Sequence, residues 1–187
     1  MKPWDELIHE EHEILKTQAG VLDITLGIDV PAQDRRVVLS WTLRNLGPEV
    51  ELHLRKEEEA LFPTLERLLK GGGSALILLH KDHEEIRASL RHLAELLQDP
   101  SNLEWDRIEL AVQSFLYLFE EHEKVEDRLL LDVLQFNLNH KELMALADKY
   151  HRVAEKAHQE EGWPTPWWTP KSNGTSHERS SEDAHHT

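Results

Sequence analysis

The chain has 187 residues, 39% of them hydrophobic and 30% charged, which is length enough for one domain with a sizeable core. Its formal net charge of -15 repels phosphate backbones and anionic lipid, so neither nucleic acid nor a membrane surface is an expected partner. With no cysteine, disulfides, thiolate zinc sites, iron–sulfur clusters and a cysteine nucleophile are excluded. No stretch approaches the roughly 20 apolar residues that span a bilayer. The N-terminal MKPWDELIHEEHEIL carries acids where a secretory leader needs an apolar run, so a cytoplasmic location is expected.

Leu, Ile, Val and Ala spread through long charged stretches favour amphipathic helices over strands. Pro3 suits the first turn of a helix, in which Ile8, Leu15, Ala19, Leu22 and Leu26 recur before a stop at Gly27. A second helical pattern runs from about Ala32 to Lys70, where Gly47-Pro48 is expected to kink or split it and Pro63 to bend it again. Gly71-Gly72-Gly73 breaks the chain, and Ser74 is placed to cap a third helix reaching about Gln98. After the Asp99-Pro100 turn, Ser101-x-x-Glu104 has the form of a capping box opening a fourth helix that continues to about Phe136. Asn139-x-x-Glu142, flanked by Leu138 and Leu143, opens a shorter fifth helix ending near His158.

From Glu161 onward prolines and small polar residues replace any helical period, so residues 1–160 are expected to form the domain and 161–187 a mostly disordered tail. Trp163, Trp167 and Trp168 are expected to fold back onto an apolar seam. A short recognition segment for a partner is the alternative.

The chain repeats itself. LIHEEHEIL in the first helix is similar to LHKDHEEIR in the third, and HLRKEEEALFPTL in the second to HEKVEDRLLLDVL in the fourth. The spacing from His12 to His53 nearly equals that from His83 to His122. Two helical hairpins of one pattern imply a bundle with a pseudo-twofold axis, and a site at its centre would take equivalent ligands from each half.

The apolar seams carry the chemistry. The third helix runs Leu79, His83, Ile86, Leu90, Leu93, Leu97, the spacing of a helix packed into a bundle. The second runs Leu39, Leu43, Leu46, Val50, His53, Glu57, Ala60, so His53 and Glu57 replace apolar residues on its buried stripe. In the fourth the seam is Phe115, Leu118, His122, Val125, Leu129, with Glu126 one step round; in the first, His12 stands between Ile8 and Leu15.

A single histidine on such a stripe is ordinarily a hydrogen-bonded core residue. Four on four helices, two of them followed by Glu at i+4, point instead to a metal. A buried carboxylate costs several kcal/mol unless paired or metal-bound, and no Lys or Arg lies on these seams. Four imidazoles and two carboxylates exceed one tetrahedral zinc site. At i, i+4 the His and Glu share a helical face, so each His can bind one ion while each Glu bridges two. Mixed N/O ligation suits iron best, with manganese or a mixed pair also open. A ferritin-like site is rejected, because the only Glu-x-x-His matches, Glu6/His9 and Glu155/His158, do not come from paired helices.

These residues resemble the hemerythrin-like, or HHE cation-binding, family over about residues 1–140. HLRKEEEALFP resembles the family's second-helix motif and HEKVE its fourth-helix counterpart, while His12 and His83 fall where the family places the lone histidines of helices one and three. The resemblance implies an all-α, up-down-up-down four-helix bundle, here with a short fifth helix. It further implies a non-heme di-iron centre with His12, His53, His83 and His122 as terminal ligands and Glu57 and Glu126 as bridges. Oxygen-carrying hemerythrins use five histidines, with a His-x3-His pair in the third helix, and a bridging Asp. This chain has His80-x-x-His83, His9-x-x-His12 and a second Glu.

His9 and His80 are therefore expected beside the seam, partly exposed or hydrogen-bonded to a ligand, with either one as a fifth ligand the alternative. Glu58 is a candidate acceptor for a ligand N–H, Glu11, Glu59 and Glu84 are expected on solvated faces, and His92, His140 and His151 on the surface. The expected function is binding or sensing of O2, NO or iron rather than catalysis. The alternatives are an enzyme that reduces peroxide or NO, or repairs iron–sulfur clusters, and an iron storage or delivery protein. Repair proteins of this family carry an added cysteine-bearing segment, which weakens that branch.

Overall fold

Apolar side chains recurring every three to four residues can be buried only by packing helix on helix, and the computed structural model has that architecture. It describes residues 4–69, 74–101 and 103–160. Six α-helices follow in order: α1 (Trp4–Gly27), α2 (Ala32–Lys56), α3 (Phe62–Leu68), α4 (Ser74–Leu96), α5 (Trp105–Asn137) and α6 (His140–Gln159). A single wide π-helical turn, Glu57–Leu61, joins α2 to α3, so these three pieces act as one long rod. There is no strand among the described residues, and no helix of theirs is long and apolar enough to cross a membrane.

The helices alternate in direction as an up-down-up-down four-helix bundle, with α1 paired mainly on α2 and α4 on α5. Two apolar clusters fill it. One gathers Leu15 and Leu22 of α1, Leu39 to Leu54 of α2, Ile86 to Ala94 of α4 with Leu97 just past it, and Ile108 to Phe119 of α5. The other, at the opposite end, gathers Ile8, Ala60, Leu61, Phe62, Leu65, Leu79 and Leu134 with Leu146, Ala147, Tyr150 and Val153 of α6. The sixth helix thus seals one end of the bundle. Between the clusters lies a buried polar layer: His12, His53, Glu57, His83, His122 and Glu126.

The π-helical turn has a clear function in this packing. At about 100° per residue, an uninterrupted α-helix would carry Leu65 roughly 100° round from the stripe defined by Leu46, Val50 and His53. The Phe62 amide instead bonds back to the Glu57 carbonyl, five residues earlier. One residue is absorbed without advancing the helix, and Leu61 and Leu65 stay buried on the same stripe as Glu57. Pro63, which has no amide hydrogen to donate, sits just past this turn.

The third-helix seam is buried along its whole length, from Leu79 to Leu97. Three other expectations are corrected. Gly47-Pro48 does not divide the second helix, which runs unbroken from Ala32 to Lys56 with Pro48 inside it. Burial of Leu43, Leu46, Gly47 and Val50 on both sides of the proline holds the segment helical. Ser101 does not form a capping box with Glu104, because the Asp99 carboxylate accepts both its amide (2.8 Å) and its hydroxyl (2.6 Å). Glu104 instead accepts from Arg107 at 3.0 Å. The fourth-helix seam is rotated from the expected one. Phe119 and Glu126 are buried, whereas Leu118 and Val125 are only half-buried. The expected tail from Glu161, with Trp163, Trp167 and Trp168, lies outside the described residues.

The second capping box forms as expected. Asn139 Oδ1 accepts the amides of Lys141 (3.0 Å) and Glu142 (3.2 Å), and Glu142 Oε2 accepts the Asn139 amide at 2.9 Å. Asn139→Ala should therefore lower unfolding free energy by about 0.5–2 kcal/mol, measured by chemical denaturation. An unchanged midpoint would mean that α6 is held by its apolar face alone.

Candidate metal centre

Each long helix brings one histidine to the polar layer. His12 follows Ile8 by one turn on α1, His53 lies in the last turn of α2, His83 follows Leu79 on α4 and His122 follows Phe119 on α5. The carboxylates come from the π-helical turn (Glu57) and from α5 (Glu126). The imidazoles form two pairs, edge to face: His12 with His53 at 5.0 Å between ring centroids, and His83 with His122 at 4.8 Å. Each pair comes from one helical hairpin.

Glu57 reaches both pairs at once. Its Oε1 lies 2.9 Å from His53 Nε2, while its Oε2 lies 3.0 Å from His83 Nε2 and 3.5 Å from His122 Nε2. Glu126 Oε2 sits 3.3 Å from His12 Nε2 and 3.9 Å from His122 Nε2. The donors form two groups, His12, His53, Glu57 and Glu126 in one and Glu57, His83 and His122 in the other, with the ligand atoms of each within 4.8 Å of one another.

The geometry fits cations. All four Nε2 atoms and all four oxygens of Glu57 and Glu126 are buried without a hydrogen-bond partner, despite these short separations. Buried polar atoms are rarely left so, and a concentration of eight at one point is the arrangement of lone pairs around metal ions. Among the described residues, Glu57 and Glu126 meet no Lys or Arg.

Outer contacts orient the rings. His83 Nδ1 is 2.8 Å from Glu58 Oε1, and Arg87 clamps that carboxylate while also holding Glu51. His12 Nδ1 lies 3.4 Å from Asp127 Oδ1 without a hydrogen bond between them. Around His53 the Tyr150 hydroxyl lies 3.4 Å from Nδ1 and donates to Glu11 Oε2 at 2.7 Å. Lys56, itself nearly buried, pairs with the other oxygen of Glu11. Partners of this kind fix ring orientation and raise ligand basicity. Beside His122, Glu123 is fully buried and pairs with Lys16 at 3.2 Å.

Of the expected residues, His9 and His80 are not brought to the centre. His9 is exposed, and His80 is exposed with its ring packed on the edge of Phe62, 6.5 Å from the His83 ring. His92, His140, His151 and Glu84 are exposed as expected. Glu11 and Glu59, also expected to be solvated, are half-buried: Lys56 and Tyr150 draw Glu11 inward, and Arg55 pairs with Glu59. Sequence reading passed over Glu11, Lys56, Glu123, Asp127 and Tyr150. Asp127 and Glu123 follow His122 closely and could have been suspected, but Tyr150 sits on a helix with no metal-ligand spacing.

The fold and site together define an all-α bundle with a buried histidine–carboxylate centre. Residues 5–134 match the hemerythrin HHE cation-binding domain, and the chain belongs to that family. No curated protein and no solved structure matches it. The match ends within α5, so α6 lies outside it.

Without a cation, protons must hold the centre together. Burial works against charge on Glu57, but the imidazoles of His53, His122 and His83 outweigh it and hold this carboxyl well below its usual range. Burial, reinforced by the charge of Glu57, pushes Glu126 up. Burial likewise opposes charge on His83, yet Glu57 and Glu58 raise it from 6.5 to about 9. Glu58 is lowered from 4.5 to about 2, where His83 and Arg87 overcome burial. A raised histidine stabilises the fold fully below 6.5 and ceases to do so as pH climbs through about 9. A lowered carboxyl does so above 4.5 and ceases as pH drops through about 2. Chelator-treated protein should thus melt at its highest temperature between pH 4.5 and 6.5 and lose stability as pH rises through about 9. A melting temperature constant across the alkaline range would contradict this assignment of protons.

Proposed function

We propose that this protein holds two iron ions in the buried centre and uses them to bind or sense a small diatomic ligand, O2 or NO. His12 and His53 would hold one ion and His83 and His122 the other, with Glu57 and Glu126 supplying the carboxylates between the two donor groups. The observation that carries the reading is the orientation of Glu57, whose two oxygens face different histidine pairs. Two ferrous ions in such a pocket would supply two electrons and an open coordination position.

The protein's own part is to orient and to exclude. Glu58, anchored by Arg87, holds the Nδ1 proton of His83 so that Nε2 faces inward. The two apolar clusters seal the centre from both ends of the bundle, which protects a reduced site from bulk water. Family membership supports cation binding, and the mixed nitrogen–oxygen donor set without thiolate supports iron over zinc. Manganese or a mixed pair satisfies the same donors.

Anaerobic loading with ferrous iron followed by metal analysis should give two irons per chain, and Glu57→Gln, which removes the shared charge, should give one or none. A stoichiometry well above two would favour iron storage and overturn the reading. Mixing the reduced protein with O2 in a stopped-flow spectrometer should produce a visible band that disappears on deoxygenation. Immediate, irreversible oxidation with no such band would sink reversible binding.

A further inference from the structure

The two cation positions are braced differently, and the difference comes from α6. At His83 the brace is a carboxylate in direct contact, Glu58 at 2.8 Å. On the outer side of His53, the carboxylate facing Nδ1 is that of Glu11, which stands 3.6 Å away, too far for a hydrogen bond. The Tyr150 hydroxyl stands beside both groups, 3.4 Å from Nδ1 and 2.7 Å from Glu11 Oε2. With Nε2 engaged by a cation, His53 would carry its proton on Nδ1. The chain of donors then runs from His53 N–H to the Tyr150 oxygen, from the Tyr150 O–H to Glu11, with the Lys56 ammonium completing Glu11 from its other side.

Tyr150 is 1% exposed, and the Lys56 ammonium lies over its ring, 4.6 Å from the centroid. The ring has no room to leave without moving α6. That helix is fastened nearby by a two-point pairing of Arg55 with Glu160, both contacts at 2.6 Å.

We propose that Tyr150 and Glu11 are positioning residues for His53, so that retention of a cation at the His12/His53 position is coupled to docking of α6. This rests on the di-iron reading above. Coupling is reciprocal: a cation that draws on His53 tightens the hydrogen bond to Tyr150, and a docked Tyr150 aims His53 at the cation. The His83/His122 position shares Glu57 with it but takes its outer brace from Glu58 and Arg87, not from α6.

The test is a titration of metal-free, full-length protein with ferrous iron under anaerobic conditions, for wild type, Tyr150→Phe and Glu11→Gln. The phenylalanine keeps the ring and its packing and removes only the bridging oxygen. One ion should bind both variants as tightly as wild type, and the second about 10- to 100-fold more weakly, the usual effect of losing a ligand's outer partner. Hydrogen exchange supplies the second readout. Amides of α6 should become more protected on adding iron to wild type, and that gain should shrink in Tyr150→Phe. A variant that merely loosened the fold would weaken both ions together.

If wild type takes up two irons but Tyr150→Phe binds both unchanged, or weakens both equally, the coupling is refuted and the di-iron reading stands. Equal α6 protection with and without iron refutes it as well. If wild type binds no second iron, both fall.

Discussion

Glu57 and Glu126 are enclosed in the middle of the bundle, 0% and 2% exposed, and like charges so placed repel one another with little solvent to screen them. Everything close to them answers that repulsion. Four imidazoles surround the pair, each able to carry a proton or to share a cation. Beyond the imidazoles stands a second ring of carboxylates, Glu11, Glu58 and Asp127, facing the outer ring nitrogens. Beyond several of the acids stand cations: Lys56 against Glu11, Arg87 against Glu58, and Lys16 against Glu123. Charge thus alternates outward in shells, with the basic side chains kept away from the innermost carboxylates.

This arrangement depends on backbone detail as much as on side-chain identity. The hairpins α1–α2 and α4–α5 each supply a histidine pair, so the carboxylates must span the boundary between hairpins. Glu57 does so from the first residue of the π-helical turn, and the absorbed residue lets Ala60, Leu61 and Leu65 remain in the core beyond it. A regular helix would have had to choose between placing Glu57 inward and burying Leu65.

Features dictated by local periodicity were legible in the sequence. His53 and Glu57, or His122 and Glu126, are one helical turn apart, and that spacing alone puts each pair on a common face. Leu79, His83 and Ile86 stand out because the residues between them are mostly polar. On α5 the same reasoning slipped by one position, since Leu118 and Phe119 are both apolar and the pattern tolerates either. At Ser101 it failed because Asp99 competes for the same hydroxyl, and a capping motif says nothing of rival acceptors. Tyr150 was out of reach for a different reason: it meets Glu11 across 139 positions of chain, a contact created only when α6 packs across the end of the bundle. Glu11 reads as one more surface acid until Lys56 of α2 and Tyr150 of α6 meet it in the fold.

The boundary of family resemblance and the boundary of the packed body do not coincide. The match stops at residue 134, yet the apolar cluster at that end of the bundle is completed by Leu146, Ala147, Tyr150 and Val153. Cut at the edge of the matched region, the chain would lose the helix that packs on α1, α2 and the π-helical turn, and with it part of the cover of the apolar cluster that holds Ile8 and Leu61. The packed body is therefore longer than the matched region. Its last helix is an integral wall of the protein rather than an appendage to it.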